Sequence, residues 1–151
     1  MNTRVLLAAL MASLVFSVCA PARADVKLPS VFGSHMVLQR DMPVPVWGWA
    51  EPGEEITLRF GSLKKTTKAD EQGNWRVVLK KLKASKKRGK QMEITGKNSS
   101  IVLQNILIGD VWVGSGQSNM EWSVSGARKG GQMIRTAKFP AIRLFLIPKV
   151  Q

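Results

Sequence analysis

The chain has 151 residues, with 23 lysine and arginine residues against 10 aspartate and glutamate residues and a net charge of +13. This length suits one domain of ordinary size. Its single cysteine and single histidine exclude a disulfide framework and a metal site built from thiolates and imidazoles. We therefore expect a protein that relies on a hydrophobic core and binds neither a metal nor another cofactor.

The first 24 residues are typical of a secretory signal peptide. Arg4 precedes an apolar run at 5–18, and an Ala-Arg-Ala sequence follows at 22–24. The apolar run is shorter than the roughly twenty residues that a membrane-spanning helix needs. We predict cleavage after Ala24, export to the periplasm or the extracellular medium, and no membrane attachment afterwards. Cys19 lies in this segment, so the predicted mature chain lacks cysteine.

Residues 25–105 predict a β-sandwich domain, because short alternating segments recur about every ten residues with turn sequences between them. The stretch 44–49 contains prolines, which favours a sheet edge. Turns are predicted at 51–54 and 70–74, where proline, glycine, aspartate and asparagine cluster. The predicted strands are 44–49, 56–60, 63–67, 75–79, 91–95 and 100–103.

Three tryptophans fall on these strands. Trp47, Trp49 and Trp75 are predicted to pack in the core, and the alternative is an exposed platform for sugar rings.

A basic stretch runs from Lys80 to Lys90 and holds seven lysine and arginine residues without an aromatic residue among them. Proteins that bind single-stranded nucleic acid interleave aromatic side chains with such charges, so we predict no nucleic-acid partner. The expected structure is a solvated hairpin end. The alternative is contact with an acidic polysaccharide, whose approach clustered lysines would accelerate.

The pattern changes at Ile106. Residues 106–108 and 111–113 are short apolar runs around Gly109 and Asp110, which predicts a strand buried on both faces, as in a parallel sheet. A helix is predicted at 127–137 and a second strand at 141–147, ended by Pro148. This is one strand–helix–strand unit, the start of a parallel sheet. Two strands and one crossover cover the sheet only partly, so we expect this end to be poorly packed.

Ser118 follows the predicted strand through a glycine-containing turn at 114–116. A serine on such a turn exposes its hydroxyl at the carboxyl end of the strand, where open α/β sheets place their sites. If a helix begins there, its free N–H groups favour the negative charge that develops in acyl transfer. The alternative is that Ser118 only caps that helix.

The segment 109–122, GDVWVGSGQSNMEW, resembles the nucleophile block of the sialate O-acetylesterase family. Further segments fit the family pattern in the same order. They are VFGSHMVLQR at 31–40, VWGWA at 46–50 followed by Pro52 and Gly53, DEQGNW at 70–75, and IRLF at 142–145. The resemblance thus extends over most of the chain from about residue 26.

This family belongs to the SGNH hydrolases, which carry a serine nucleophile on a flavodoxin-like α/β sheet. The resemblance implies that Ser118 is the nucleophile and that its backbone N–H is an oxyanion donor. We expect Gln117, Asn119 and Trp122 to contact the substrate. That substrate is an O-acetylated sugar, such as a sialic acid or a plant-type polysaccharide, deacetylated without a cofactor. The implied fold is a β-sandwich followed by the first strand–helix–strand unit of an incomplete flavodoxin-like α/β domain at 106–151.

Family members also have a catalytic Asp-x-x-His, and this sequence contains none. His35 is expected to be a hydrogen-bonded loop residue. We therefore interpret the chain as the amino-terminal part of an esterase, nearly inert by itself. The competing hypothesis is a non-catalytic carbohydrate-binding or interaction module in which the β-sandwich is the functional part.

Overall fold

The computed structural model describes residues 25–85 and 88–147. The predicted signal peptide, Lys86 and Lys87 of the basic stretch, and Pro148 lie outside the described residues. The elements are β1 Val37–Gln39, β2 Val44–Trp49, β3 Glu55–Phe60, β4 Leu63–Lys68, β5 Asn74–Leu79, β6 Lys90–Thr95, β7 Ser100–Gly109 and α1 Gly130–Thr136, with short 3₁₀ helices at Ser118–Glu121 and Val124–Gly126.

The strands form two sheets in the described part of the chain. A five-stranded mixed sheet has the order β1-β7-β6-β3-β4, in which only β1 and β7 are parallel. A two-stranded antiparallel sheet joins β2 to β5. Strand β2 lies at a sheet edge, as its prolines predicted. The ring nitrogen of Pro45 carries no N–H, and on the open side of β2 this costs no hydrogen bond between strands.

Both sheets contribute to one hydrophobic core. Strand β3 turns Ile56, Leu58 and Phe60 inward, and β5 turns Trp75, Val77 and Leu79 inward, so the alternation in the sequence is the alternation in the structure. The mostly β architecture with two sheets around one core is consistent with the sandwich predicted for residues 25–105.

The two predicted turns are present and use glycine where the backbone requires it. Gly53 and Gly73 have φ of 74° and 80°, a left-handed conformation that costs glycine little. The Glu54 N–H donates to the Glu51 carbonyl at 3.0 Å. At the second turn, the Asp70 carboxylate accepts hydrogen bonds from the Asn74 and Gln72 N–H groups at 2.7 and 3.0 Å. These bonds, chiefly that from Asn74, lower the pKa of Asp70 below its usual value.

All six predicted strands occur; the first five have their ends within one residue of the prediction, and the last is longer. One strand was missed: β1 has only three residues, too few to show an alternation. Its register pairs Val37 with Leu107 and Gln39 with Gly109, so its place depends on a partner some seventy residues away.

The strand predicted to lead to Ser118 is only partly correct. Residues 106–108 do form a strand, but they continue β7 without a break from Ser100, and β7 ends at Gly109. Residues 111–113 are not in a strand, and Trp112 is 90% exposed. Burial on both faces needs neighbouring strands, and within residues 25–85 and 88–147 no segment pairs with 111–113. The predicted boundary at 105/106 falls inside β7, and the division into domains stays a prediction.

The strand predicted at 141–147 is also absent, while the helix predicted at 127–137 occurs as the seven-residue α1. From residue 111 onward nearly every described side chain is exposed, including Leu144 and Leu146. This agrees with the poor packing expected of an incomplete sheet. Helix α1 and the 3₁₀ turns are the described helices, and none has the length and apolar character needed to cross a membrane.

The core prediction was right for Trp75, which is buried, and wrong for Trp47 and Trp49, which are 40% and 44% exposed. On β2 the inward positions belong to Val44, Val46 and Gly48, so both tryptophans point outward. Trp75 lies directly opposite Gly48 in the register, and its ring fills the space beside that glycine.

Gly48→Ala is expected to destabilise the fold by about 1–3 kcal/mol, the usual cost of overpacking. A Cβ at residue 48 would overlap the Lys27 carbonyl oxygen and lie 2.9 Å from Trp75 Cζ2. Urea denaturation measures the loss. Gly33→Ala is the matched control, because a Cβ there meets no atom within 4 Å. Equal stabilities of the two variants would contradict this account of Gly48.

Candidate active site

The segment that leads to Ser118 leaves the two-sheet domain at Gly109. Gln39, the last residue of β1, and Arg40, the next residue, hold the start of this segment. Gln39 Oε1 accepts the Val111 N–H at 2.8 Å, and Arg40 Nε donates to Asp110 Oδ1 at 2.9 Å. The hydrogen bond and negative charge of Asp110 raise the pKa of Arg40. The pair is exposed, so it fixes the direction of the segment more than it stabilises the fold.

The turn before Ser118 is compact because its glycines leave room for Met120. A Cβ on Gly116 would lie 2.8 Å from Met120 Cγ and 3.4 Å from its sulfur. A Cβ on Gly114 would lie 3.5 Å from Met120 Cε. The Met120 side chain therefore folds back over the turn, and a larger residue at 116 would displace it.

Ser118 is the first residue of the 3₁₀ helix Ser118–Glu121. Gln117 occupies the cap position with extended backbone, and its carbonyl accepts the Met120 N–H at 2.9 Å. The alternative that Ser118 caps a helix is wrong, since Gln117 precedes the helix and no side chain caps it. In the described part of the chain, the Ser118 hydroxyl has no hydrogen-bond partner, and the residue is exposed.

The residues expected to contact substrate lie on the same turn. Gln117, Asn119 and Trp122 are all exposed, and the Trp122 N–H donates to the Asn119 carbonyl at 3.2 Å. They lie near Ser118 because they are close to it in the sequence, and not because their side chains pack together. None of the four lines the cavity of about 760 Å³ bounded by β7 and residues 140–143. Within the described residues, no three His, Cys, Asp or Glu side chains are grouped to hold a metal ion.

His35 is a hydrogen-bonded loop residue, as expected. Asn105 Nδ2 donates to His35 Nδ1 at 2.8 Å, and Arg143 Nη2 donates to Asn105 Oδ1 at 3.1 Å. Because a guanidinium only donates, the amide oxygen faces Arg143 and the amide NH₂ faces the imidazole. This assigns the His35 proton to Nε2. Among residues 25–85 and 88–147, no hydrogen bond connects His35 with Ser118.

Arg143 connects the segment after α1 to the two-sheet domain, and in the sequence it stands out only as part of the family-like segment IRLF at 142–145. Its Nη1 donates to the carbonyl oxygens of His35 at 2.7 Å, Met36 at 3.4 Å and Asn105. His35 and Asn105 have φ of 69° and 55°, a conformation uncommon outside glycine. Arg143 thereby holds the segment after α1 against the two-sheet domain.

Known sequences and a known structure point to the same kind of protein. No protein-family model matches the chain. Over 139 residues it is 30% identical to sialate O-acetylesterase of Mus musculus and 29% identical to that of Homo sapiens, with 83% of this chain aligned. A carbohydrate acetylesterase from Xanthomonas citri, known from its crystal structure, gives a TM-score of 0.73 at 35% identity over 77% of this chain.

These matches are partial, since the chain spans about a quarter of the length of the mouse, human and Xanthomonas proteins. The proteins that it matches are carboxylic-ester hydrolases by name. Among these hydrolases, the sialate O-acetylesterase family is the one that the chain matches, and the match is partial. The family resemblance found in the sequence is thereby confirmed.

Proposed function

We propose that the chain provides the nucleophile of a sialate O-acetylesterase-like carbohydrate esterase. Ser118 attacks the acetyl carbonyl, and its own N–H donates to the oxyanion that forms. The observation that carries the proposal is the unpartnered, exposed hydroxyl of Ser118 on its glycine-containing turn, in a chain related to acetylesterases.

The residues of this chain supply only part of such a mechanism. Acyl transfer from serine needs a histidine that takes the hydroxyl proton and an acidic residue that orients it. The one histidine of the chain has Nδ1 engaged with Asn105 on the loop before β1. We infer that the catalytic Asp and His, and further oxyanion donors, come from outside these 151 residues.

The proposed setting for Ser118 is a flavodoxin-like parallel sheet of which this chain contributes the first unit. Two exposed apolar segments support it, because each has the composition of a buried strand but no strand partner among the described residues. One is 111–113 with Trp112, and the other is 141–147 with Ile142 and Leu144. Neighbouring strands would cover both and fix the turn at the end of the first.

The proposed substrate is an O-acetylated sugar, with water as the second substrate. Two relatives are named for acetyl esters of sialic acid and one for acetylated carbohydrate. Trp122 presents an exposed indole four residues after the nucleophile, where it can pack on a sugar ring. Gln117 and Asn119 flank Ser118 with amide groups that can hydrogen-bond sugar hydroxyls.

The chain by itself is expected to show no measurable turnover of an aryl acetate, because no base reaches Ser118. The assay follows release of the phenolate with the purified chain, and Ser118→Ala is the control for background hydrolysis. Turnover that disappears in Ser118→Ala would contradict the expectation and point to His35 as the base. His35→Gln would then test that assignment.

We also propose that the protein is exported and loses residues 1–24. The charged start, apolar run and Ala-Arg-Ala end at 22–24 support this. The intact mass of the secreted protein is expected to correspond to a chain beginning at Asp25. A mature protein that retains Met1 would rule out cleavage.

A further inference from the structure

The outer face of the two-stranded sheet carries two exposed tryptophans side by side. Trp47 and Trp49 are separated by one residue on β2, so their side chains leave the same face about 7 Å apart along the strand. A large exposed aromatic pair is costly in water and marks a binding surface more often than scattered apolar residues do. This face is remote in sequence from Ser118 and plays no part in the proposed hydrolysis.

One of the two tryptophans, Trp47, is held in place without a ligand. The ring of Phe32 meets the ring of Trp47 edge to face, with centroids 4.8 Å apart and planes at 79°. Phe32 is itself partly buried and packed against the core. An aromatic surface fixed in advance loses less side-chain entropy when a ligand covers it.

Strand β5 places polar groups beside the tryptophans. In the register Arg76 lies opposite Trp47 and Asn74 lies opposite Trp49, and both residues are exposed. Within residues 25–85 and 88–147, Arg76 forms no ion pair, so its guanidinium is available to a ligand. These residues, with Pro45 and Asp70, line a groove of about 590 Å³.

We propose that this groove binds an acidic oligosaccharide. Sugar rings stack through their C–H faces on the two indoles, and a ring carboxylate pairs with Arg76 through two parallel N–H···O bonds. The Asn74 amide nitrogen donates to the Asp70 carboxylate at 3.3 Å, so the amide oxygen is the atom that accepts a ring hydroxyl. The groove holds one carboxylate, that of Asp70, which is already occupied by the N–H groups of Gln72 and Asn74, and one guanidinium, that of Arg76, which has no ion-pair partner among the described residues. Arg76 and the net charge of +13 of the chain therefore favour an acidic over a neutral sugar.

The test is calorimetric titration of the 151-residue chain with trigalacturonate, and with galactotriose as the uncharged counterpart. Trp49→Ala and Arg76→Gln are each expected to weaken trigalacturonate binding about tenfold, as for central contacts of a binding site. Galactotriose is expected to bind more weakly than trigalacturonate, and Arg76→Gln to reduce that difference.

Two matched variants separate the groove from general effects. Arg59→Gln removes the same charge from an exposed position on β3 of the other sheet, and Trp112→Ala removes an exposed tryptophan from the segment after β7, outside the groove. Both are expected to change the affinity less than twofold. No binding by the wild-type chain, equal weakening by Arg59→Gln, or unchanged binding by both groove variants would overturn the proposal. Arg76→Gln leaves the aromatic packing intact, so it decides the outcome if Trp49→Ala does not fold.

Discussion

Supplying a segment that contains a family-type Asp-x-x-His is expected to convert the chain into an active esterase toward an O-acetylated sugar. Ser118→Ala should then lower turnover about 10⁶-fold, as removal of the nucleophile does in serine hydrolases. The segment is supplied by fusion to the chain or by co-expression with it. Release of acetate measures the reaction.

The size of the effect follows from the chemistry of the serine. A hydroxyl near its free pKa is a weak nucleophile, and only a histidine that accepts its proton makes it reactive. In the proposed mechanism the Ser118 N–H is one oxyanion donor, and each further donor is worth about 3–4 kcal/mol. An effective segment should therefore also carry glycine and asparagine loops as donors ahead of its Asp-x-x-His.

Ser115→Ala is the matched control for Ser118→Ala. Ser115 is an exposed serine three residues earlier on the same turn, so its loss tests the turn without removing the proposed nucleophile. We expect Ser115→Ala to retain most of the restored activity. If the restored protein is fully active with alanine at 118, the nucleophile assignment is wrong. The carbohydrate-binding module would then be the better hypothesis.

The strands that the sequence predicted well are those whose pattern is local. Ile56, Leu58 and Phe60 alternate with polar residues, and the adjoining turns contain glycines with positive φ, so a few neighbouring residues determine the structure. Trp47 and Trp49 alternate equally clearly, but alternation does not say which face is buried. That choice depends on Trp75, which fills the inner space at Gly48 from another strand.

The candidate site also combines local features, which the sequence can predict, with long-range contacts, which it cannot. The turn before Ser118 involves Gly116 and Met120, which are close in the chain, so a local pattern could indicate it, while the catalytic role of Ser118 stays a prediction. The contacts of Arg143 with His35 and Asn105 span 108 and 38 residues, and no pattern near Arg143 announces them. Arg143 donates to carbonyl groups of His35 and Asn105, two residues with left-handed backbone that are distant in sequence. Such pairs become visible only in the folded chain.

Phe60→Ala is expected to lower the free energy of unfolding by about 3–5 kcal/mol, the usual cost of emptying an aromatic core position. Phe60 is 1% exposed, and Met92 opposite it in the register is also buried. The Nζ of Lys90 lies 5.7 Å from the Phe60 ring centroid, an attraction that the substitution also removes. Such a loss is a large part of the stability of a single domain.

Phe145→Ala is the matched control, because it is the same chemical change at a side chain that is 61% exposed in the segment after α1. We expect it to change the unfolding free energy by less than about 0.5 kcal/mol. Urea denaturation of both variants, with equal m-values, measures the difference. A comparable loss in both would mean that residues 110–147 are packed as firmly as the two-sheet core. The proposal that this segment awaits the rest of its sheet would then fail, because its apolar side chains would already be buried.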